Sequence, residues 1–511
     1  MISIHTTRRF ACVLVGLAGA LVALSAASPA ALAHRPPPPS DSGGSTQAQT
    51  PIHTIVTSGG HGASRPVRAR RASPVRHVVV IFLENHTFDN VLGYWCHVTP
   101  RRCPDGGMPS SVRLSDGTVV TPSVMPDKVP MVRHMTIDQQ NAIDGGLMDG
   151  WQLIPGCTAA SNYACVAGYK PAQVPNLTAL ASRFAISDRT FSLQDSPSFF
   201  GHLDIVAPTS DGFTGGNPVP DKHAAPGVGW GCDAGTQTTW VNAGVTRLVP
   251  SCIPDRSLTV PNGGAYKPTP VPQVPAIMDR LDAAGLPWRI YGNTCLTETV
   301  SASGLETCTS AKPGYQWSIC PSFAKCLYTQ AGNVAPDSQF LTDAATAGRL
   351  PAFSVVTTGI NTDSEHNGFS MTAGDNWLGQ LVSAVMNGPN WASTAIFITY
   401  DDCGCFYDQV PPGTNPDGTP QGPRVPLVIV SPYAKAGYTD TSKTTFAGIL
   451  AYTEHTFGLA PLGANDAQAY DFSNAFNYSQ LPLKRVPMVH RPLPASARRI
   501  RVTPALANDP T

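Results

Sequence analysis

Residues 77–85 read His77-Val78-Val79-Val80-Ile81-Phe82-Leu83-Glu84-Asn85, an apolar run that stops at a carboxylate and an amide. The pattern returns at Thr394-Ala395-Ile396-Phe397-Ile398-Thr399-Tyr400-Asp401-Asp402. A short β-branched run of this kind is typical of a parallel strand buried on both faces. The polar residues that follow it lie at the carboxyl edge of the sheet, where open α/β folds place their ligands. The two stretches therefore predict an α/β fold with a functional site where two strands end.

Four oxygen-bearing side chains follow these strands: Glu84, Asn85, Asp401 and Asp402. Hard oxygen donors of this type suit a divalent cation. Acidic residues after a strand also serve as helix caps, and for either run alone that explanation is equally good. The occurrence of both runs favours a metal-dependent hydrolase.

Longer segments around both runs resemble a known family. Val79–Gly93 and Ile398–Pro412 are similar to the two metal-binding signatures of the bacterial phosphoesterase family, which contains phospholipases C and acid phosphatases of the alkaline-phosphatase-like superfamily. The similarity runs in order through residues 76 to 462. It implies one large α/β core with a mainly parallel central sheet and helices on both faces, with strands at 77–84, 394–400 and 425–431 meeting at one edge. It also implies a divalent metal ion, with Ca, Mg, Mn and Zn all open.

The resemblance extends to a nucleophile segment, Phe191–Leu203, in which a Ser or Thr follows Pro and precedes an aromatic residue. By that match Ser198 is the nucleophile and a further metal ligand, and Ser196 is the second candidate. A serine after proline is also an ordinary turn residue. Relatives continue with Pro-Asn-Arg or Pro-Asn-His, whereas this chain has Phe200-Gly201-His202. His202 is the remaining candidate for a phosphate contact in this segment.

Two more histidines lie in family-like contexts. His366 lies in a Ser-Glu-His segment, and His134 precedes a Gly-x-Met-Asp-Gly-like stretch. Imidazole protonates a leaving alkoxide or donates to a phosphoryl oxygen near neutral pH, although a lone histidine is more often a surface or core residue. The resemblance implies that His366 is the acid or phosphate donor and that His134 lines the pocket. Residues 445–448 depart from the family, because relatives carry Asp-His-Thr-Ser there.

Composition is that of a globular enzyme without a nucleic-acid partner. Lys plus Arg and Asp plus Glu both number 34, and 42% of the residues are hydrophobic. The balance of charge argues against a nucleic-acid-binding surface. No G-x-S-x-G, H-E-x-x-H or P-loop motif occurs, which removes the usual support for a serine esterase, a zincin or a nucleotide hydrolase.

The chain divides into four parts by pattern. Residues 1–33 have the charged start, apolar stretch and small-residue cleavage site of a signal peptide, for either the general secretory or the twin-arginine route. Residues 34–75 are rich in Pro, Gly and Ser and predict a disordered linker. Residues 76–480 form the predicted catalytic domain, and residues 481–511 form a C-terminal tail. No run is long enough for a transmembrane segment in the mature chain.

Cysteine usage also favours export. Of 13 cysteines, one lies in the signal segment, which leaves an even number. The spacing suggests local disulfides, although spacing alone does not determine connectivity. The expected pairs are Cys96 with Cys103, Cys157 with Cys165, Cys232 with Cys252, Cys295 with Cys308, and Cys320 with Cys326. Cys403 and Cys405 are expected to be either a loop disulfide or two thiols.

The sequence therefore predicts a secreted or cell-envelope-associated, metal-dependent phosphoric ester hydrolase of phospholipase C type. Its substrate would be a phospholipid or another phosphate ester. One alternative is an acid phosphatase that acts on soluble phosphomonoesters. An alternative of another class is a non-catalytic, envelope-associated binding protein on the same fold. The sequence does not determine the oligomeric state.

Overall fold

An eight-stranded mixed sheet forms the centre of the protein, which was analysed as a computed structural model. The structure describes residues 73–221, 230–259, 269–292, 319–359 and 363–499, with the backbone of 298–300 and 306–308. The main strands, in chain order, are β1 (His77–Leu83), β2 (Ala185–Ser187), β3 (Phe213–Pro220), β4 (Thr236–Asn242), β5 (Val245–Pro250), β6 (Trp288–Tyr291), β7 (Val334–Ala335), β8 (Phe353–Thr357), β9 (Thr394–Tyr400), β10 (Leu427–Val430) and β11 (Thr439–Asp440). The order across the central sheet is β7-β6-β8-β1-β9-β10-β2-β11.

Strand β1 lies near the middle of this sheet and pairs in parallel with both β8 and β9. Its residues from Val78 to Leu83 are all buried, as are all seven residues of β9. Continuous apolar strands are stable only when both faces are covered, which parallel sheets achieve through crossover connections. The prediction of an α/β fold with a mainly parallel sheet is confirmed.

The strand predicted at residues 425–431 forms as β10 and enters the mainly parallel sheet in the antiparallel direction. Strand β10 runs antiparallel to both β9 and β2. Residues 401–426 contain no helix, and parallel pairing of neighbouring strands normally requires a crossover connection of that kind. The chain therefore turns back at the edge where β9 ends, so β10 begins at that edge and Arg424 lies near the site.

Helices cover the sheet, and several connect its strands. Their bounds are α1 (Phe88–Val98), α2 (Thr136–Ile143), α3 (Pro175–Arg183), α4 (Ser198–Asp204), α5 (Ile277–Ala283), α6 (Ala324–Thr329), α7 (Asp337–Ala345), α8 (Met371–Asn387), α9 (Ala447–Phe457) and α10 (Ala464–Ala467). Helix α1 begins at an N-cap, because the Thr87 hydroxyl accepts from the amide of Asn90. Among the described residues, no helix combines the length and the apolar composition that crossing a bilayer requires.

Strands β3, β4 and β5 form a separate antiparallel sheet that packs on helix α4. The Phe199 ring of α4 lies 5.7 Å from the Phe213 ring and 5.6 Å from the Trp230 ring. Shorter strand pairs are Val112–Arg113 with Val119–Val120, Ser123–Val124 with Ala167–Gly168, Thr190–Phe191 with Thr444–Thr445, and Glu298–Val300 with Glu306–Cys308. The sheet of β3, β4 and β5 supports helix α4, which carries Ser198.

Four expected disulfides form among the described residues, and each closes a short stretch of chain outside the strands of the central sheet. They join Cys96 to Cys103, Cys157 to Cys165, Cys232 to Cys252, and Cys320 to Cys326. The fifth expected pair includes Cys295, which lies outside the described residues, as do the predicted signal segment and residues 34–72 of the predicted linker.

The described part of the predicted C-terminal tail contacts the catalytic core. The amide of Val489 donates to Oδ1 of Asn176 at 2.8 Å, and the amide of Arg491 donates to Oδ1 of Asn376 at 2.9 Å. These hydrogen bonds attach the tail to helices α3 and α8. The domain boundary at residue 480 stays a prediction.

Candidate active site

The ends of strands β1 and β9 lie side by side. Leu83 pairs in register with Tyr400, so Glu84 and Asp401 each follow a paired residue directly. Because neighbouring parallel strands advance together, the two acidic residues emerge at the same edge of the sheet. Glu84, Asn85, Asp401 and Asp402 are all fully buried. The structure therefore brings together the four strand-end residues that the sequence analysis selected.

Asn85 occupies the left-handed region of backbone conformation, with φ of 62°. Asparagine tolerates this conformation better than most residues other than glycine. The turn points the amide of Asn85 at Oδ1 of Asp401, with an N–O distance of 2.8 Å. This hydrogen bond holds the two strand ends together.

The side-chain amide of Asn85 lies between Ser198, the two aspartates and His366. Its better orientation turns the nitrogen to Asp402 Oδ1 at 3.1 Å and to Asp401 Oδ1 at 3.2 Å, while the oxygen accepts from His366 Nε2 at 2.9 Å. A bound cation reverses this preference, because only the amide oxygen is a metal ligand. The orientation of Asn85 therefore depends on what occupies the site.

Helix α4 delivers two of the predicted site residues. Ser198 is the first residue of the helix, and His202 follows it by four positions, so both lie on one face. The helix comes close to strand β9 at Gly201, where a Cβ atom would lie only 2.7 Å from the carbonyl oxygen of Asp401. Only glycine allows this approach without displacement of the backbone. The departure from the family pattern at Gly201 thus has a packing reason.

The Ser198 hydroxyl lies in the middle of the strand-end residues. In the better orientation of Asn85, its side-chain nitrogen is 3.3 Å from Ser198 Oγ, which also lies 3.4 Å from Asp402 Oδ2, and Ser198 is fully buried. Ser196, the second nucleophile candidate, is also buried, but its carbonyl oxygen accepts from Nε2 of Gln139. Of the two serines, Ser198 is the one within reach of the carboxylates.

Glu84, His202 and Asp401 form a cluster with the spacing of metal ligands. One ligand atom from each lies within 4.8 Å of the others. His202 Nε2 is 2.9 Å from Glu84 Oε1 and 3.8 Å from Asp401 Oδ2. Buried carboxylates so close together are costly unless a cation offsets their charge, and a mixed nitrogen and oxygen donor set suits such an ion. The residues present therefore fit a divalent metal ion, although the sequence analysis gave His202 a phosphate-binding role.

The other two predicted histidines lie beside Asn85 and Asp402. His366 Nδ1 is 2.9 Å from the carbonyl oxygen of Asn367, which only accepts, so Nδ1 carries the proton. This contact directs Nε2 at Asn85. His134 Nε2 lies 3.9 Å from Asp402 Oδ2, and the His134 and His366 rings are 5.8 Å apart. Both histidines are fully buried within the site.

The loop after β9 holds Asp402 in place. The amide of Gly404 donates to Asp402 Oδ1 at 2.6 Å. Gly404 has φ of 52°, and a Cβ atom there would lie 2.2 Å from the carbonyl oxygen of Asn85. Glycine is therefore required for this loop to pack against the end of β1.

A buried ion cluster below the site was missed by the sequence analysis. Arg424 donates through Nε to Asp408 Oδ1 at 3.0 Å and through Nη2 to Asp89 Oδ1 at 3.0 Å. Its guanidinium also lies 4.4 Å from the centre of the Phe88 ring. Burial raises the pKa of Asp408 to about 7, against the opposing effect of Arg424. Asp89 and Asp408 lie in the two family-like segments Val79–Gly93 and Ile398–Pro412, and Arg424 lies just before β10. The cluster therefore links the loops that follow β1 and β9 to the start of β10.

A buried carboxyl next to His366 in the chain attaches this segment to the end of strand β9. Glu365 is fully buried and accepts from the Tyr400 hydroxyl at 2.6 Å. Burial raises the pKa of Glu365 to about 8. A Cβ atom at Gly374 would lie 1.9 Å from Cγ of Glu365, so helix α8 presses on this side chain. The only sequence signal for this role was the position of Glu365 in the Ser-Glu-His segment.

Comparison with curated proteins finds relatives along most of the chain. Non-specific phospholipase C6 of Arabidopsis thaliana is 23% identical over 81% of this chain and 75% of its own length. Phospholipase C A of Mycobacterium tuberculosis is 22% identical over 82% of this chain and 80% of its own length. Non-hemolytic phospholipase C of Pseudomonas aeruginosa is 22% identical over 79% of this chain and 57% of its own length. All three names describe phosphoric ester hydrolases.

Solved structures superpose weakly. A protein in the alkaline phosphatase superfamily from Vibrio parahaemolyticus gives a TM-score of 0.32 at 12% identity over 79% of this chain and 70% of that chain. This score is too low to support an inference about function. The model of the phosphoesterase family matches residues 75–460, which include the strand ends, helix α4 and both histidines of the site. The chain therefore belongs to the phosphoesterase family and is a phosphoric ester hydrolase.

Proposed function

We propose that this protein is an exported, metal-dependent phosphoric ester hydrolase of phospholipase C type, with Ser198 as its nucleophile. The observation that carries the proposal is the position of the Ser198 hydroxyl, buried 3.3 Å from Asn85 and 3.4 Å from Asp402. A hydroxyl at this position is close to the ligand-spaced residues and faces His366 across Asn85. This arrangement of nucleophile, carboxylates and imidazole suits phosphoryl transfer through a covalent intermediate.

The metal ligands in this proposal are Glu84, Asp401 and His202, with Asn85, Asp402 and Ser198 beside them. A histidine nitrogen among carboxylate oxygens suits Zn²⁺ or Mn²⁺ better than Ca²⁺ or Mg²⁺. When bound, the cation would lower the pKa of the serine hydroxyl and offset the charge that develops on the phosphoryl oxygens. In this proposal His202 is a ligand rather than a phosphate contact.

The reaction proceeds in two displacements at phosphorus. Ser198 Oγ attacks the phosphorus as its proton passes to Asp402 Oδ2, 3.4 Å away, the bond to the leaving alkoxide breaks, and a phosphoseryl intermediate forms. Asp402 returns this proton to Oγ in the second step, when the bond between phosphorus and Oγ breaks. His366 gives the Nε2 proton to the alkoxide, because its Nδ1 proton is directed to the Asn367 carbonyl. In the second step His366 Nε2 takes a proton from water as that water attacks the phosphoseryl group. His134, close to Asp402, lies where it would contact a phosphoryl oxygen.

The substrate class is proposed from the relatives, whose names are phospholipases C. We propose hydrolysis of a phospholipid to a phosphorylated head group and a diacylglycerol. The alternative is an acid phosphatase that acts on soluble phosphomonoesters.

The test is a substrate panel with metal-depleted enzyme. Purified protein is treated with chelator and then assayed with Zn²⁺, Mn²⁺, Mg²⁺ or Ca²⁺ on an aryl phosphate monoester, on detergent-dispersed phosphatidylcholine and on intact vesicles. We expect turnover of dispersed lipid and of the aryl ester, restored by Zn²⁺ or Mn²⁺, with weaker activity on vesicles. Full activity of the chelated protein would contradict metal dependence. Activity on the monoester alone would identify the acid phosphatase.

Loss of all turnover with intact metal binding would favour the non-catalytic alternative. Ser198→Ala is the matched control, because it keeps the ligands and removes the nucleophile. Export is tested separately by N-terminal sequencing of the protein released by the native host, where we expect the mature chain to begin at His34. Recovery of the chain with Met1 inside the cell would contradict export.

A further inference from the structure

Two thiols lie directly behind the proposed active site. Cys403 and Cys405 are fully buried, and their Sγ atoms are 3.6 Å apart. The amide of Cys405 donates to Sγ of Cys403 at 3.0 Å, so both sulfurs lie on the same side of the loop. Two thiols at this separation need little movement to form a disulfide, whose sulfur–sulfur distance is about 2.05 Å.

The pair differs from the other cysteines of the described residues. Eight cysteines there form four disulfides, whereas Cys403 and Cys405 are present as thiols. Two neighbouring thiols can be oxidised to a disulfide by thiol–disulfide exchange and reduced again.

The residue between the two thiols contacts the proposed metal-binding residues. The Gly404 amide donates to Asp402 Oδ1 at 2.6 Å, and its backbone packs against the carbonyl of Asn85 so closely that no Cβ atom fits. Both Gly404 and Cys405 have positive φ, at 52° and 50°. The sulfurs must approach by about 1.5 Å to bond, since a disulfide requires about 2.05 Å. Such a movement shifts the amide that holds Asp402.

We propose that Cys403 and Cys405 are a reversible dithiol–disulfide couple and that its oxidation weakens binding of the divalent cation through Gly404 and Asp402. The oxidant is a low-molecular-weight disulfide of the glutathione class. Both sulfurs are fully buried, so the exchange begins when the loop opens locally and exposes one thiol. Its thiolate attacks a sulfur of the small disulfide, forms a mixed disulfide and releases one thiol. The second cysteine thiolate then attacks the first cysteine sulfur and releases the other thiol. Two cysteine thiols are oxidised, and one small disulfide is reduced to two thiols.

The sulfur chemistry stands on the cysteine geometry alone, whereas its effect on the cation rests on the proposed function. A phosphoesterase with such a couple would be active when the pair is reduced and impaired when it is oxidised. Reciprocity adds a further consequence: if oxidation weakens cation binding, the bound cation must shift the pair toward the dithiol by the same factor.

The first experiment measures the redox state of the pair without reference to activity. The native protein is equilibrated in buffers of reduced and oxidised glutathione, quenched with acid, alkylated and digested with trypsin. Cys403 and Cys405 are the only cysteines between Arg349 and Arg424, so one tryptic peptide reports both. We expect this peptide to change from two alkyl groups to none across the series, while the four disulfides stay closed. A peptide that stays dialkylated, or stays closed, at every ratio overturns the proposal.

The second experiment measures cation binding. Titration of metal-depleted protein with Mn²⁺ should give an affinity at least tenfold weaker for the oxidised pair, and added Mn²⁺ should shift the glutathione ratio at half-oxidation by the same factor. Equal affinities in both states overturn the coupling. Cys405→Ser is the matched variant, because it retains one thiol but cannot close the ring. In this variant oxidised glutathione can only form a mixed disulfide with the remaining thiol, and reduction removes it. Apart from that effect, the Mn²⁺ affinity of the variant should not change with oxidised glutathione.

Cys403→Ser serves the same purpose if Cys405→Ser fails to fold. If neither protein state turns over any phosphate ester but the Mn²⁺ affinity still changes with oxidation, the couple stands and the proposed function fails. If turnover and Mn²⁺ affinity are both unchanged when the peptide is closed, the proposed function stands and the coupling of the redox pair to the cation fails.

Discussion

The backbone amide of Asn85 donates to the carboxylate of Asp401 across a distance of 2.8 Å, although the two residues are 316 positions apart in sequence. The contact exists because β1 and β9 are neighbours in register in a parallel sheet. It places an amide side chain between a serine, two aspartates and a histidine. The chemistry of the site therefore depends on the ends of two strands remaining aligned.

Replacement of Ser198 by alanine should abolish turnover while the fold is retained. The hydroxyl lies within 3.4 Å of Asn85 and Asp402, and its loss removes the nucleophile but no metal-binding carboxylate. We expect kcat to fall by roughly 10³-fold or more. Steady-state kinetics on an aryl phosphate ester measure the effect. Ser196→Ala is the matched control and should keep kcat within about threefold, as expected for a residue outside the reacting groups; the reverse result would move the nucleophile by two residues.

Replacement of His202 by asparagine should separate the two roles considered for this residue. As a metal ligand with Nε2 close to Glu84 and Asp401, His202 should contribute to cation affinity. We expect His202→Asn to weaken Zn²⁺ or Mn²⁺ binding by about 10–100-fold, as measured by competition with a chromogenic chelator. Unchanged cation affinity with a raised KM would instead support the phosphate contact expected from the sequence.

Replacement of Arg424 by methionine should destabilise the fold. The side chain is buried and forms ion pairs with Asp89 and Asp408, which would be left without their common cation. Breaking a buried pair from one side costs about 3–5 kcal/mol. Urea denaturation should report a loss of this size, and Arg247→Met, at an exposed position of β5, should change stability by less than about 0.5 kcal/mol. Equal stability of the two variants would contradict the role of the cluster.

Glu365 should make the stability depend on pH. Burial raises its pKa to about 8, so the folded protein holds a proton that the unfolded chain loses near pH 4.5. This contribution to the free energy of unfolding is full below pH 4.5 and is lost as the pH rises toward 8, at a limiting slope of about 1.4 kcal/mol per pH unit. Glu365→Gln keeps an acceptor for the Tyr400 hydroxyl but cannot titrate. Denaturation at pH 5.5, 6.5 and 7.5 should show a shallower slope for this variant, and identical slopes would rule out the buried proton.

The strands nearest the site follow from local patterns. The strand His77–Leu83 is buried on both faces because apolar residues occupy consecutive positions and therefore point to both sides of the sheet. Most residues of Thr394–Tyr400 follow the same pattern. The direction of β10 does not follow from its own residues, since the same apolar run fits a parallel or an antiparallel neighbour. Its direction is set by the return of the chain at the site edge without a crossover helix.

The amino-acid sequence by itself indicated the strand-end carboxylates and the serine segment, because each is encoded by residues close together in the chain. The cysteine spacing suggested local disulfides without determining their connectivity. Only the tertiary structure decided that His202 joins Glu84 and Asp401, that Asn85 faces His366, and that Arg424 binds two aspartates from other motifs. These relationships depend on distances between residues far apart in sequence. Such distances are set by the packing of the sheet and helix α4, which no local pattern contains.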